Sequence, residues 1–356
     1  MYLADTYGPN CCSHIDAVDM TFACIGAVDA LQNTADWVTA GKNRKGIVIA
    51  SDFAKYKLKS SGEYTQGAGA VALLVSNNPA LIEFDDEWAV STQSVHDFFK
   101  PRRKHEFNAL ENGSTLAKSL DNSNTYFEEF KETPVFDGQY SNECYQNRMI
   151  EAYNRYKKAT TIDLNQWQHL VFHLPYAFHG RRIIAPIFID EVVKNGLIEQ
   201  IAYQLGIKKE DKGFARAVSK SDEYKAFVKQ KIAKSDQASS EVGNMYTASI
   251  FMAFLSLLSN LNEDNSGEKI GFIAYGSGSK AKVFSGNLNA GFTAKTQKWE
   301  LFETLSQRDS ITFNQYELLH SGSLTKPLKT TNSYFALKEI KQYPLAGERV
   351  YQLLKA

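Results

Sequence analysis

Cysteine is scarce: four in 356 residues, at positions 11, 12, 24 and 144, with only the Cys11–Cys12 pair close in sequence. No spacing resembles a zinc ligand set, and a disulfide framework does not suit so long a chain, so a reduced, cytoplasmic setting is expected. Charge excess is also lacking. Lys+Arg and Asp+Glu both number 40, so bulk charge draws the protein toward neither nucleic acid nor an anionic membrane. The chain does not open on a basic stretch followed by an apolar run, and no signal peptide is visible. The longest apolar stretch, Met245 to Leu258, is too short to span a bilayer and reads as a core helix. No P-loop, no complete Gly-x-Gly-x-x-Gly and no metal motif occurs. What is present is 43% hydrophobic and 12% aromatic residues, enough for a large core in one big domain or two smaller ones.

Periodicity predicts an α/β chain. A helix is expected from Cys24 to Val38, ending near Gly41, and a buried strand at 45–50. A second strand covers 67–75, with Gly67, Ala68 and Gly69 suggesting close backbone approach at its start. Edge strands are expected at 81–84 and 88–90. Residues 100–140 read as irregular, followed by a helix over 142–158. The pattern then restarts with a strand at 169–173, a helix over 181–204, an apolar helix at 244–260, a strand at 269–275 and a returning strand within 281–294. The charged stretch 206–241 reads as a solvated helix face or loop.

Four segments could carry chemistry. Cys24 stands where the first helix begins, and a thiol in a first turn meets unpaired N–H groups and the positive dipole end, both favouring thiolate; the alternative is a packed core cysteine. His173 follows a strand and precedes Leu174-Pro175-Tyr176. It is either a hydrogen-bonded core histidine or a working residue at a strand end. Asn244, in Gly243-Asn244-Met245-Tyr246-Thr247, either caps the apolar helix or donates its amide into a pocket. Tyr275-Gly276-Ser277-Gly278 follows a strand; its glycines either make a tight turn or bring backbone N–H groups to a reacting carbonyl.

Taken in order, these segments resemble the hydroxymethylglutaryl-CoA synthase family, within the thiolase superfamily of condensing enzymes. Thr65-Gln66-Gly67-Ala68-Gly69-Ala70-Val71-Ala72, His96-Asp97-Phe98-Phe99-Lys100-Pro101 and Phe136-Asp137-Gly138 also look like family segments, so the resemblance runs from about residue 15 to about residue 320. It implies a thiolase-like layered α/β fold of two pseudo-repeated halves, 1–160 and 161–356, the first incomplete at its N-terminus. It also implies condensation of acetyl-CoA with acetoacetyl-CoA without metal or redox cofactor, mevalonate-type isoprenoid supply, and a homodimer.

Carried over residue by residue, Cys24 would take the acetyl group as a thioester. His173 would hold the acetoacetyl carbonyl, with Asn244 in support. Ser277 and Gly278 would lie near the acyl pocket with Thr65, while Asp52 and Asp97 would be supporting acids or turn caps. Arg181 and Arg182 would meet CoA phosphates or sit on a solvated helix start. The chain departs from the family at Ile25, usually Tyr, and at Phe178, usually Lys. The family's general-base Glu lies well before the nucleophile, whereas only 23 residues precede Cys24 and none is Glu. A truncated gene model with Met1 a spurious start is the expectation; a split protein and a degenerate homologue are the other accounts. Two further functional readings follow: a carrier-protein-dependent synthase of polyketide β-branching, and a non-catalytic partial homologue.

Overall fold

The computed structural model describes residues 10, 12–106, 126–130, 132–193, 197–211, 213–324, 328, 335–341 and 349–353. Two compact units form: a larger one from Met20–Pro101 and Glu132–Ser306, and a smaller one from Met1–Asp19, Arg102–Lys131 and Gln307–Ala356.

In the larger unit, helix α1 (Gly26–Thr39) buries Ala27, Val28, Leu31 and Val38 at helical spacing. That face packs on the paired strands β1 (Lys45–Ala54) and β2 (Gly67–Ser76). Their antiparallel register runs from Lys45 opposite Ser76 to Ala54 opposite Gly67. Period-two alternation turns Val48 and Ala50 inward and leaves Ile47, Ile49 and Phe53 exposed.

Strand β3 (Ile82–Thr92) absorbs both expected edge strands into one and edges a four-stranded sheet. The short strands β4 (Phe98–Phe99) and β7 (Val135–Phe136) pair with each other. Between them in sequence the chain supplies the smaller unit with β5 (Arg102–Glu106) paired to β6 (Tyr126–Phe130). The long helix α2 (Gly138–Thr160) follows, its N-terminus capped by the Asp137 side chain accepting from Tyr140 N–H. The four-stranded sheet is completed by β8 (His169–Phe172), β9 (Lys269–Gly276) and β10 (Lys280–Leu288), in the order β3-β10-β9-β8 with only β8 and β9 parallel.

Strands β8 and β9 are buried along nearly their whole length, as their unbroken apolar runs require. Helix α2 packs on β3, β9 and β10, while α3 (Ala233–Val242) and α4 (Ser249–Ser259) pack on β8. Trp88 stacks on Phe284 at 3.8 Å, and Phe272 on Phe284 at 4.9 Å, filling the sheet side of the core. The smaller unit also holds helix Phe313–His320 and the hairpin of β11 (Phe335–Ile340) with β12 (Arg349–Leu353).

Three expectations change. The helix expected over 181–204 is broken into His179–Ile183, Ala185–Val193 and Leu197–Leu205. The apolar helix starts later, with a 3-10 turn at Tyr246–Ala248 before α4. The stretch 100–140 is not irregular throughout; part of it, 107–125, lies outside the described residues. The charged stretch 206–241 folds as helices Phe214–Val218, Asp222–Lys231 and α3. Residue 160, where the two expected halves meet, is the last residue of α2. Among the described residues no helix is long and apolar enough to cross a membrane.

Candidate active site

One end of the larger unit gathers the ends of several elements. Strand β8 stops at Phe172 and β9 at Gly276, so His173 and Ser277 each follow the carboxyl end of one of two parallel strands, where open α/β sheets place ligands. The His173 N–H donates to Ile273 O at 2.9 Å and extends that pairing by one residue.

Cys24 enters from the other side. Helix α1 begins at Gly26 with Ile25 as N-cap, so Cys24 stands just before the helix and not in its first turn. The preceding Ala23 has φ +39°, a region an L-residue adopts under strain. Ile25 N–H donates to Phe22 O at 3.1 Å, and Ala27 N–H donates to Thr247 Oγ1 at 2.7 Å. The helix start is therefore tied to the Asn244 segment far along the chain. At Gly276 an added Cβ would stand 2.7 Å from Ile25 Cγ2 and 3.0 Å from Phe22 O. The end of β9 thus touches the Cys24 turn. Gly276→Ala is expected to displace Cys24 and change its rate of alkylation by iodoacetamide by about tenfold or more; an unchanged rate would show that the turn yields freely.

Asn244 is held by its backbone and its oxygen. Its N–H donates to Thr65 O at 2.8 Å, and Gly243 at φ +82° meets Gln66 so closely that a Cβ there would lie 2.0 Å from the Gln66 oxygen. Asn244 Oδ1 accepts from Tyr246 N–H at 2.8 Å and Ser249 Oγ at 3.1 Å. Its Nδ2 makes only a long contact of 3.5 Å to the Tyr56 hydroxyl. Asn244 is therefore not the N-cap of the apolar helix, which is Ala248 with no side-chain cap; its oxygen ties down the turn that leads into that helix.

Cys24, His173, Asn244, Thr65 and Ser277 line one cavity of about 230 Å³. Tyr56, Phe98, Phe136, Tyr145, Tyr176 and Tyr246 supply much of the rest of its wall. Gly278 does not line it; its N–H donates to Asp97 Oδ1 at 2.8 Å. Asp97 is fully buried and also accepts from the Tyr275 hydroxyl at 2.8 Å and Ser141 Oγ at 3.2 Å, so it braces the wall. Asp52, on β1, takes its own Phe53 N–H at 3.0 Å. Arg181 forms a two-point ion pair with buried Asp236, at 2.6 and 2.7 Å, and covers the Phe178 ring at 4.5 Å. Arg182 lies over the Tyr176 ring at 5.5 Å. Neither guanidinium lines the cavity.

Electrostatics correct the thiolate expectation. Burial pushes the Cys24 thiol well above its usual range, and Asp52 and Asp97 push it further, with only Lys100 opposing. Resting Cys24 is a neutral thiol, because desolvation outweighs the nearby helix end. Burial alone drives the His173 imidazole down to about 3, so it too is neutral. The sequence reading passed over Tyr56, Tyr145, Tyr246, Lys100 and His179. Tyr246 and Lys100 stand inside motifs quoted above, but only packing shows which way they face. Among the described residues no group of three His, Cys, Asp or Glu could hold a metal ion.

Comparison with known proteins bears on this site. The family model "Hydroxymethylglutaryl-coenzyme A synthase C terminal" matches residues 82–339, and the corresponding N-terminal model matches residues 2–80. A hydroxymethylglutaryl-CoA synthase of Enterococcus faecalis is 29% identical over 309 residues, covering 87% of this chain and 66% of that protein. One from Schizosaccharomyces pombe is 28% identical, covering 96% of this chain and 74% of that protein. A solved structure described as MvaS in complex with 3-hydroxy-3-methylglutaryl coenzyme A is 25% identical with TM-score 0.72, and covers 94% of this chain and 73% of its own. Another, of an HMG-CoA synthase complexed with CoA, is 25% identical with TM-score 0.67 at the same coverage. The fold is thus the thiolase-like one of these enzymes, over about two thirds to three quarters of their length.

Proposed function

This chain belongs to the hydroxymethylglutaryl-CoA synthase family, and on that footing we propose that its cavity condenses acetyl-CoA with acetoacetyl-CoA through an acetyl–Cys24 thioester. The observation that carries the reading is the meeting of Cys24 with His173 and Asn244 on one buried wall, from segments far apart in sequence. Acyl transfer is charge-neutral: the Cys24 S–H and the CoA thioester C–S bonds break, while a Cys24 thioester and a CoA S–H form. His173 suits a particular role in it. An imidazole that resists protonation is a poor base toward a buried thiol, but its N–H is a good donor to a carbonyl oxygen gaining charge. The loosely held Asn244 Nδ2 is a second such donor. CoA thioesters are the only co-substrates this reading requires, with no metal or redox group.

One observation favours a second reading. Among the described residues no carboxylate lines the cavity, and carbon–carbon bond formation needs a base at the acetyl methyl. The chain would then take up acyl groups without condensing them. The test is to charge the protein with radiolabelled acetyl-CoA, remove the excess and add acetoacetyl-CoA. Discharge of label as hydroxymethylglutaryl-CoA is the expected result; label that stays on the protein favours acyl capture alone.

A further inference from the structure

The reaction as proposed leaves one imidazole in the cavity wall unused. His179 opens the short helix His179–Ile183 and is 1% exposed. Neither its Nδ1 nor its Nε2 has a hydrogen-bond partner among the described residues. Yet it lines the same cavity as Cys24 and His173. Its ring sits 4.8 Å from the Tyr145 ring and 4.6 Å, edge to face, from the Tyr176 ring. His173 lies near the Tyr145 ring too, at 6.1 Å.

A phenylalanine would fill this aromatic cluster equally well and leave no polar atom stranded. An orphaned buried polar group carries a desolvation penalty, and such groups concentrate where a ligand completes the pairing. Burial first, then the adjacent His173 and Arg182, keeps this imidazole neutral, so it offers one N–H donor and one lone pair. The second substrate in the reading above is a 3-oxoacyl thioester, which carries two carbonyl oxygens on alternate carbons. In that reading His173 and Asn244, both in the cavity wall, are donors for one of them. The other needs a donor of its own.

We propose that His179 is a specificity-determining residue that donates a hydrogen bond to the 3-oxo oxygen of the incoming 3-oxoacyl thioester, leaving the thioester oxygen to His173 and Asn244. This rests on the condensing reading of the site and adds how that site distinguishes a 3-oxoacyl group from a plain acyl group.

The test measures binding of acetoacetyl-CoA and butyryl-CoA by calorimetry to the wild type and to His179→Phe, His179→Leu and His179→Gln. Butyryl-CoA keeps the chain length and the thioester but lacks the 3-oxo oxygen. The wild type is expected to prefer acetoacetyl-CoA by about tenfold. His179→Phe and His179→Leu abolish most of that preference by weakening acetoacetyl-CoA, with butyryl-CoA changed by less than about twofold. His179→Gln, which keeps an N–H donor, restores part of it. His179→Phe also unfolds at no lower temperature than the wild type, because it removes a stranded polar group without opening a cavity. No preference in the wild type, an equal preference in wild type and apolar variants, or equal weakening of both ligands overturns the assignment. A purely structural role would move the unfolding temperature and leave the preference intact. Failure of the condensing reading reads differently: acetoacetyl-CoA is still preferred through His179, but Cys24 takes up no acetyl label.

Discussion

Cys24→Ser abolishes acetyl transfer from acetyl-CoA to the protein, by about 10³-fold or more, while Cys144→Ser leaves it intact. Both thiols are free and buried, so burial does not separate them; position does. Cys24 opens on the cavity beside His173, and Cys144 lies on α2 outside its lining. A serine hydroxyl in place of Cys24 has neither a lower-energy ionised form nor a positioned base, and it attacks a thioester poorly. The same geometry sets a pH signature. Since burial, with Asp52 and Asp97, raises the Cys24 thiol above the ordinary 9.0, alkylation by iodoacetamide should climb with pH through 9 without levelling. Lys100→Ala should slow it further, because Lys100 is the one cation working toward the thiolate. The sign for stability follows: the native state holds this proton more tightly than the unfolded chain, so stability is lost as pH rises above 9. A plateau near neutral pH would mean a standing thiolate and would remove the basis of this assignment. Equal labelling of Cys24→Ser and the wild type would remove Cys24 as nucleophile.

Where periodic burial dictates structure, the sequence was readable. The strands β1, β2, β8 and β9 and the helix α1 follow from alternation, unbroken apolar runs and helical spacing, each a local pattern with one solution. Helix boundaries near the site were not readable in the same way. The start of α1 is fixed by Thr247 taking the Ala27 N–H, a bond spanning 220 residues, and no local capping residue announces it. The break after Ile183 did leave a local mark, Pro186, which has no N–H to continue a helix through this point and disfavours helical backbone just before it.

Which residues reach the cavity was partly legible; their electrostatics were not. Motif order located Cys24, His173, Asn244, Thr65 and Ser277, all of which reach the cavity. The thiolate expectation weighed the helix end, its unpaired N–H groups and its dipole, without the burial. The dipole's contribution is about 0.3–1 kcal/mol at exposed ends, which full burial overrides. Arg181 looked available because its partner Asp236 hides in a charged stretch 55 residues away, and only folding shows the guanidinium fork closed on it. His179 stood in plain view beside the His173 motif. Its significance lies in having no partner, a property that no one-dimensional pattern encodes.

Two of the three buried imidazoles among the described residues make the protein acid-sensitive. His173 and His179 are each driven by burial from an ordinary 6.5 to about 3. Between those values the unfolded chain binds protons that the native state refuses. Their stabilising contribution is therefore complete above pH 6.5 and is lost as pH falls toward 3. At pH 5 each has forfeited about 2 kcal/mol, from 1.36 kcal/mol per pH unit, and the pair about 4 kcal/mol, a large share of a typical domain's stability. Carboxyl groups intrude little in this window, since unfolded Asp and Glu titrate near 4; half-buried Asp52 and buried Asp236, raised first by desolvation, oppose the loss. His169 is also lowered by burial, but Glu268 at 2.8 Å pulls the other way. Urea unfolding at pH 7 and pH 5 should show the loss in wild type and about half of it in His179→Phe, which removes one of the two proton-binding differences while preserving the ring packing against Tyr145 and Tyr176. If wild type and His179→Phe lose equal stability between those pH values, His179 is solvated in the folded protein, and the stranded imidazole on which its substrate role depends does not exist.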